Sequence, residues 1–396
     1  MKRFFLCACL LCACCLVLTA QKSADIAVRW LPQPLQPVIR DSIDQSDFFW
    51  NDAYEEARLI DSVTAYIPPK MPLTKPKQLK RLAAEWEKRL PQLNLVGGIG
   101  PLTPHAGSQA KEAIRTIELS WPLFLATGDV RYMDVMERAL YNNLRTAVRT
   151  ETDPETREKA ANLIKGVHTM AYATAGKHLY VNMYMRGIVH TRTDSLNLDF
   201  SQMNSWPWSN STIFYISPRG KDKHAIVHLR IPGWMRNEVM PGPDARFAFT
   251  NPTTSFVVTV NGEETPANIQ NGYLVVDKVW DEETNFIKVV MRTPIMRIRK
   301  TEHNKDVRGE VAFQRGPLIY CLTDSADGYY VNAEKPIDVN FDRENRKVIE
   351  LTVKRYLHKN TPADAPAPES EMKLIPYFRG FSESPGCCTV WFTEPR

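Results

Sequence analysis

The sequence predicts an α+β multidomain protein in which a helical region precedes two β-sandwich domains. Between Pro76 and Gly176, apolar residues recur at steps of three and four, which is the period of amphipathic helices. From His178 onward, short β-branched segments alternate apolar and polar residues, as half-buried strands do. Asn261-Gly262 and Asn271-Gly272 lie between such segments and have the turn chemistry of β-hairpins. A helical part followed by sandwiches is therefore expected.

Size and composition exclude several classes of protein. The chain has 396 residues, of which 43% are hydrophobic and 24% charged, so it can bury a large core and divide into two or three domains. Its formal net charge of +5 is too diffuse to indicate a nucleic-acid partner. After the N-terminus, no apolar run approaches the roughly 20 residues that cross a bilayer, so a membrane span is not expected.

The first 20 residues resemble an export signal. Lys2-Arg3 precedes an apolar run from Phe4 to Leu18, and Thr19-Ala20 is followed by polar residues. The segment Leu11-Cys12-Ala13-Cys14 also resembles a lipoprotein box, whose second cysteine would carry the lipid. A periplasmic or extracellular location is expected, and both a soluble form and a lipid-anchored form stay open.

Most cysteines lie in that signal, which leaves Cys321, Cys387 and Cys388 in the mature chain. Adjacent cysteines on a strand rarely bridge each other because their side chains diverge, so Cys387 and Cys388 are not expected to form a disulfide together. Cys321 is expected to be a small buried apolar residue. Structural roles are the interpretation for all three.

Changes of pattern divide the chain into five parts. The density of proline indicates an extended N-terminal arm with one short helix, and the later changes from helical to alternating spacing mark the domains. The predicted parts are the signal at 1–20, the arm at 21–75 with a helix within 45–63, the helical region at 76–177, and the sandwiches at 178–300 and 301–396.

Four segments, in order, resemble glycoside hydrolase family 127, the family of non-reducing-end β-L-arabinofuranosidases. They are Leu95–Gly100, Leu229–Trp234, Arg315–Cys321 and Leu374–Phe378, and Glu137–Asn142 resembles a family helix that follows the glycine loop. The resemblance implies an (α/α)6 barrel followed by β-sandwich domains. Twelve helices need on the order of 200 residues or more, whereas residues 21–176 number 156. A partial barrel remnant is therefore expected.

The resemblance also implies a reaction centre in which one glutamate and three cysteines hold zinc. One cysteine is the nucleophile and a separate glutamate is the acid/base. Zinc lowers the pKa of a thiol, so that a thiolate can attack the anomeric carbon.

The chain does not match this centre residue by residue. His105–Ser108 stands where the family has a glycine followed by the acid/base glutamate. Arg115–Ile117 best matches a family segment of glutamate, threonine and cysteine, and Glu155-Thr156 best matches the paired cysteines. No zinc cofactor is therefore expected, and the chain is expected to be inactive in the family's reaction.

Other residues offer alternatives. Glu118 and Glu155 are candidates for a carboxylate pair, which ordinary glycoside hydrolysis needs about 5 to 9 Å apart; solvated helix faces are the plain alternative. His105 with Gly97, Gly98 and Gly100 could bind substrate, and otherwise these residues only shape a loop. The last candidates, Trp206, Trp208 and Trp234, either stack on sugars or pack in the core.

The expected function is that of an exported family protein directed at plant-derived, arabinose-containing oligosaccharides or polysaccharides, without the family's hydrolytic activity. Two alternatives stay open: a non-catalytic carbohydrate-binding or interaction module, and a fragment of a larger hydrolase. The sequence does not address the oligomeric state.

Overall fold

The computed structural model describes most of the chain after the predicted signal. The described residues are 29–38, 43–60, 75–94, 96, 100–101, 109–239, 247–250, 255–300, 309–324, 328–342, 348–357, 369–383 and 388–394. The predicted signal, Gly97, Gly98, His105 and Cys387 lie outside them. Within them, no helix is long and apolar enough to span a membrane.

The helical region is built around α3, which is buried along most of its length. Polar caps and prolines start its neighbours: the Asp129 side chain accepts from the Arg131 amide at α4, and prolines open α2 and α6. The helices are α1 (Phe48–Arg58), α2 (Pro76–Arg89), α3 (Gln109–Thr127), α4 (Val130–Arg138), α5 (Arg145–Thr150) and α6 (Pro154–Lys165), with 3₁₀ turns at Leu90–Gln92 and Val167–Met170. A π-helical segment, Ala139–Leu144, joins α4 to α5 without a break.

Helices occupy the region where the period of three and four predicted them, and α1 lies within the predicted arm helix. Their descent from an (α/α)6 barrel stays a prediction. A short strand pair, Leu93–Asn94 with Gly100–Pro101, brackets the glycine loop.

Two six-stranded sheets form the first β unit. The helix-side sheet runs, in spatial order, through Gln36–Pro37, Tyr172–Ala175, His178–Val181, His224–Arg230, Tyr273–Val279 and Ile269–Gln270. The outer sheet runs through Glu263–Glu264, Phe256–Val260, Asn285–Met291, Ser211–Pro218, Asn197–Asn204 and Gly187–Arg192. Alternate residues such as Val227 and Leu229 are buried between the sheets, as the alternating sequence predicted.

Both Asn-Gly pairs make the predicted turns. Asn261 and Gly262 have φ of 52° and 92°, and Asn271 and Gly272 have φ of 50° and 77°. Positive φ at both central positions is the geometry of a type I′ hairpin.

The second β unit is one continuous antiparallel sheet of nine strands. Its main path is Phe247–Phe249, Met296–Lys300, Glu310–Arg315, Leu318–Cys321, Glu369–Pro376, Val348–Leu357 and Tyr329–Val331; Asp338–Asp342 and Phe392–Thr393 pair at its side, and α7 (Tyr377–Glu383) follows Pro376.

This pairing places the boundary between the two predicted sandwiches before Met296 rather than after Lys300. Strand Met296–Lys300, assigned by sequence to the first sandwich, pairs instead with Glu310–Arg315, and Phe247–Phe249 pairs with Met296–Lys300. Alternation identifies a strand, but it does not identify the strand's partner, because partners are chosen by tertiary packing.

Candidate functional site

Three of the family-like segments meet at one buried junction, which Arg230 organises. Its guanidinium has no exposed surface. Nη1 donates to Asp134 Oδ1 at 2.7 Å, Nη2 donates to Glu137, and Nε donates to the Asn182 carbonyl at 2.6 Å. Segment Leu229–Trp234 is thereby fastened to α4.

A second arginine completes the charge balance. Arg236 Nη2 donates to Asp134 Oδ2 at 2.7 Å and to Glu238 Oε2 at 2.7 Å. The Gly233 amide donates to Asp134 Oδ1 at 3.1 Å, and an added Cβ on Gly233 would lie 3.2 Å from Asp134 Oδ2. This backbone can approach the carboxylate so closely because residue 233 has no side chain.

The π segment carries the junction on to the second β unit. Asn142 Nδ2 donates to the Pro317 carbonyl at 3.0 Å, and the Ile319 amide donates to Asn142 Oδ1 at 3.0 Å. One turn earlier, Arg138 Nη2 donates to Gln314 Oε1 at 2.9 Å. Segments Glu137–Asn142 and Arg315–Cys321 therefore contact each other directly.

Burial dominates the electrostatics of this junction. It raises the pKa of Glu137, against the opposing charge of Arg230, and it lowers the pKa of Arg138 to about 10. A buried carboxyl group with a raised pKa is a common mark of a catalytic acid.

The small size of the adjoining cavity excludes a catalytic role for Glu137. The cavity beside Asp134 and Glu137 has a volume of only about 10 Å³, and Trp234 and Pro317 are among its walls. That is room for about one water molecule. A sugar ring cannot enter, so these carboxylates hold the three parts together rather than cleave a glycosidic bond.

The sequence-predicted catalytic candidates lie elsewhere, on solvated helix faces. Glu118 is on α3, its side chain is 43% exposed, and it lies 3.8 Å from Arg115 on the same helix. Glu155 is in the first turn of α6, is 77% exposed, and accepts from Lys159 at 2.6 Å. Each carboxylate is thus paired along its own helix, the arrangement expected of a surface face.

The residues matched to the family's zinc ligands have structural roles. Arg115 Nη2 donates to Glu85 Oε1 at 2.7 Å, and Ile117 is 1% exposed in the core. Thr156 donates to Asp153 Oδ2 at 2.6 Å. A guanidinium, an alkyl chain and a hydroxyl do not make the thiolate and carboxylate set that zinc requires. These residues therefore do not form a zinc site, and no zinc-dependent step is assigned to them.

Among the residues that the structure describes, no three His, Cys, Asp or Glu side chains are grouped to hold a metal ion.

The predicted substrate-binding loop is described only at its edges. Gly100 pairs with Asn94. Beyond the loop, the first residue of α3, Gln109, accepts from the Tyr377 hydroxyl at 2.6 Å, so the start of α3 contacts α7 of the second β unit. The roles of His105, Gly97 and Gly98 stay predictions.

The tryptophans pack in the core. The rings of Trp206 and Trp234 stack with centroids 5.7 Å apart, and they are 2% and 3% exposed. Arg315 Nη1 donates to the Pro207 carbonyl at 3.2 Å beside them. The packing alternative is therefore confirmed for this pair, while Trp208 is partly buried against the same core.

One polar cluster, formed by two histidines and a tyrosine, was not predicted from the sequence. His178 Nδ1 lies 2.8 Å from His228 Nε2, and the Tyr180 ring stacks on His228 at 4.2 Å. Burial, and then the neighbouring His178, lower the pKa of His228 to about 4. Parallel pairing of Tyr180 with His228 creates the contact. Residue spacing gives no signal for it, because the strands are 43 residues or more apart in sequence.

Comparison with known protein families finds matches over both β units. The family model described as β-L-arabinofuranosidase, GH127 middle domain, matches residues 178–292, and the model described as glycoside hydrolase family 127 C-terminal domain matches residues 295–393. The chain belongs to glycoside hydrolase family 127. The division between the two family models falls just before Met296, in agreement with the strand pairing.

Individual relatives are distant. The chain is 26% identical over 167 residues to a non-reducing end β-L-arabinofuranosidase of Bifidobacterium longum subsp. longum, which covers 41% of this chain and 22% of that enzyme. The fold of this chain is similar to that of a GH127 β-arabinofuranosidase, with a TM-score of 0.72 and 20% identity over 88% of this chain and 60% of the other. It is also similar to a GH127 β-L-arabinofuranosidase from Geobacillus stearothermophilus T6 (TM-score 0.65, 19% identity, 92% and 61%). The chain therefore spans about three fifths of these solved relatives.

Proposed function

We propose that this chain is an exported family 127 protein that binds arabinose-containing plant glycans without hydrolysing them by a zinc-thiolate reaction. The carrying observation is the use of Arg115 and Ile117, the positions matched to zinc ligands, for a surface ion pair and for core packing. The family and the activity of the relative from Bifidobacterium longum support the substrate class.

The export part of the proposal rests on the N-terminal signal pattern. The binding part rests on the resemblance of the glycine loop, with His105 beside it. A site that sequesters one or two sugar rings gives modest affinity, because little area is buried and association entropy opposes binding.

An activity and binding screen tests the proposal. Purified mature protein is incubated with an aryl β-L-arabinofuranoside and with arabinose-containing oligosaccharides, beside an active family enzyme as positive control. We expect no released product, and millimolar-range binding by ligand-observed NMR that weakens in His105→Ala. Turnover above the background of heat-denatured protein would contradict the non-hydrolytic part. Absence of binding would contradict the carbohydrate part.

Elemental analysis tests the metal separately. We expect no stoichiometric zinc, because the matched positions lack thiolates. About one zinc per chain, lost when Cys387 and Cys388 are replaced, would refute the residue matching.

Hydrolysis through carboxylates is the rival function. It predicts that any measured turnover is abolished by Glu118→Gln or Glu155→Gln. We expect both variants to resemble the parent protein, because each glutamate is exposed and paired on its own helix.

A further inference from the structure

Two cysteines far apart in sequence lie side by side in the second β unit. Leu322 and Thr389 form an antiparallel bridge in which the Leu322 amide donates to the Thr389 carbonyl at 2.8 Å and the Thr389 amide returns a bond of 2.9 Å. Side chains alternate between faces along extended chains. Cys321 and Cys388, each one residue before a bridge partner, therefore lie on the same face.

Helix α7 covers this face with a glycine. A Cβ added to Gly380 would lie 2.8 Å from Cys388 Sγ and still closer to Cys321 Sγ. Both sulfurs thus contact the same point of the helix, and they fill the space that any larger residue at position 380 would need. Neither cysteine forms a disulfide here; Cys321 is buried and Cys388 is partly exposed.

We propose that Cys321 and Cys388 are a disulfide site, closed by exchange with a disulfide donor such as oxidised glutathione or an exported thiol oxidant. An S–S bond requires the sulfurs to approach to about 2.0 Å. Each sulfur lies no more than 2.8 Å from the position of that added Cβ, so the two sulfurs are no more than twice that distance apart. Rotation about their Cα–Cβ bonds can bring them to bonding distance.

The exchange has a defined order. The partly exposed Cys388 loses its proton and attacks one sulfur of the donor, which releases the first donor thiol and leaves a mixed disulfide. The Cys321 thiolate then attacks Cys388 Sγ, the mixed disulfide breaks, and the second donor thiol leaves. The two cysteines are oxidised by two electrons, the donor disulfide is reduced to two thiols, and the two cysteine protons end on those thiols.

The bond would fasten the C-terminal segment to the sheet. Cys388 precedes strand Phe392–Thr393, which pairs with Glu310–Arg315 only through two residue pairs. Cys321 ends the neighbouring strand Leu318–Cys321. The crosslink would close a long loop and restrict the unfolded chain, which is the main way a disulfide stabilises a protein. This inference is independent of the carbohydrate proposal.

Peptide mapping tests the site. Purified protein is incubated with oxidised glutathione, free thiols are alkylated, and a tryptic digest is analysed without reductant. We expect peptide 316–343 joined to peptide 380–396, two hydrogens lighter than the separate peptides, and lost on reduction. Cys387→Ser is the matched control because it changes a cysteine of the same peptide; it should retain the link, whereas Cys388→Ser should lose it.

Thermal unfolding provides a second measurement. Reductant should lower the Tm of the oxidised parent and of Cys387→Ser by several degrees, and it should not change the Tm of Cys388→Ser. A link that survives in Cys388→Ser, or the absence of linked peptide from the oxidised parent, would overturn the proposal. Cys388 is partly exposed, so its replacement should leave the fold intact and keep the comparison interpretable.

Discussion

Arg230 Nη1 and Asp134 Oδ1 lie 2.7 Å apart, and the arginine has no contact with solvent. This ion pair joins a strand of the first β unit to α4. Charged groups are costly to bury unless their hydrogen bonds are satisfied, and here the guanidinium also reaches Glu137 and the Asn182 carbonyl. The pair therefore imposes one geometry on the junction, because few other arrangements would satisfy both carboxylates.

Replacing this arginine should strongly destabilise the fold. In Arg230→Met, Glu137 loses its guanidinium partner while it stays buried, which typically costs about 3–5 kcal/mol. The free energy of unfolding in urea measures the loss. Arg219→Met is the control, because Arg219 makes an exposed pair with Asp199, and such pairs contribute about 1 kcal/mol or less. Similar losses in the two variants would contradict the organising role of Arg230.

Replacing Asn142 should destabilise the fold nearly as much as replacing Arg230. Asn142→Ala removes both side-chain bonds to the second β unit and leaves the buried Pro317 carbonyl and Ile319 amide without that partner. We expect a loss of roughly 2–3 kcal/mol, since each orphaned buried group costs about 1–3 kcal/mol. Asn340→Ala, which removes an exposed bond to Thr352, serves as the comparison. Equal unfolding midpoints for the two variants would argue against the contact.

The glycines of the two Asn-Gly hairpins provide a matched pair of substitutions that tests the packing of α4 against one hairpin. Alanine at either glycine is strained by positive φ, but a Cβ on Gly272 would lie 2.5 Å from Val130 Cγ1, whereas one on Gly262 meets nothing within 4 Å. Gly272→Ala should therefore lose about 1–3 kcal/mol more than Gly262→Ala, the usual range for overpacking. Chemical denaturation of both variants measures the difference, and a difference near zero would place α4 farther from the hairpin.

His228 should make stability depend on pH. Its folded pKa of about 4 is below the unfolded value of about 6.5, so the unfolded state binds protons first as pH falls. Stability is then lost as pH drops from about 6.5, and the loss is complete below about 4. Between pH 7 and pH 5, protonation of this histidine should lower the free energy of unfolding by about 2 kcal/mol. His228→Gln should abolish that part of the dependence of the free energy of unfolding on pH.

Urea unfolding at the two pH values measures this effect. His190→Gln is the control, because His190 is exposed and lies on the outer sheet. A His228→Gln protein with the parent's pH slope would show that burial and the neighbouring His178 do not keep the ring neutral.

The sequence predicted the helices and strands that form the junction, but it did not predict the contacts between them. Helical spacing and alternating strands located the elements, because side-chain burial repeats with their periods. The charged residues within Glu137–Asn142 and Leu229–Trp234 were visible, yet nothing in the order of residues states that Arg230 faces Asp134 across 96 positions. Long-range pairs depend on tertiary packing, and for that reason the His178–His228 contact, the partner of Met296–Lys300 and the approach of Cys321 to Cys388 also needed the structure.

The N-terminal arm has a protective consequence. Gln36–Pro37 pairs with Thr174 and Ala173 at the margin of the helix-side sheet, and the Leu35 amide bonds to the Leu125 carbonyl of α3. An open strand margin is a template on which other chains can add and aggregate, and proline is a residue that blocks such growth. The arm thus covers the edge of strand Tyr172–Ala175. A chain from which the arm had been removed by proteolysis would expose an unpaired strand edge, on which other chains could add.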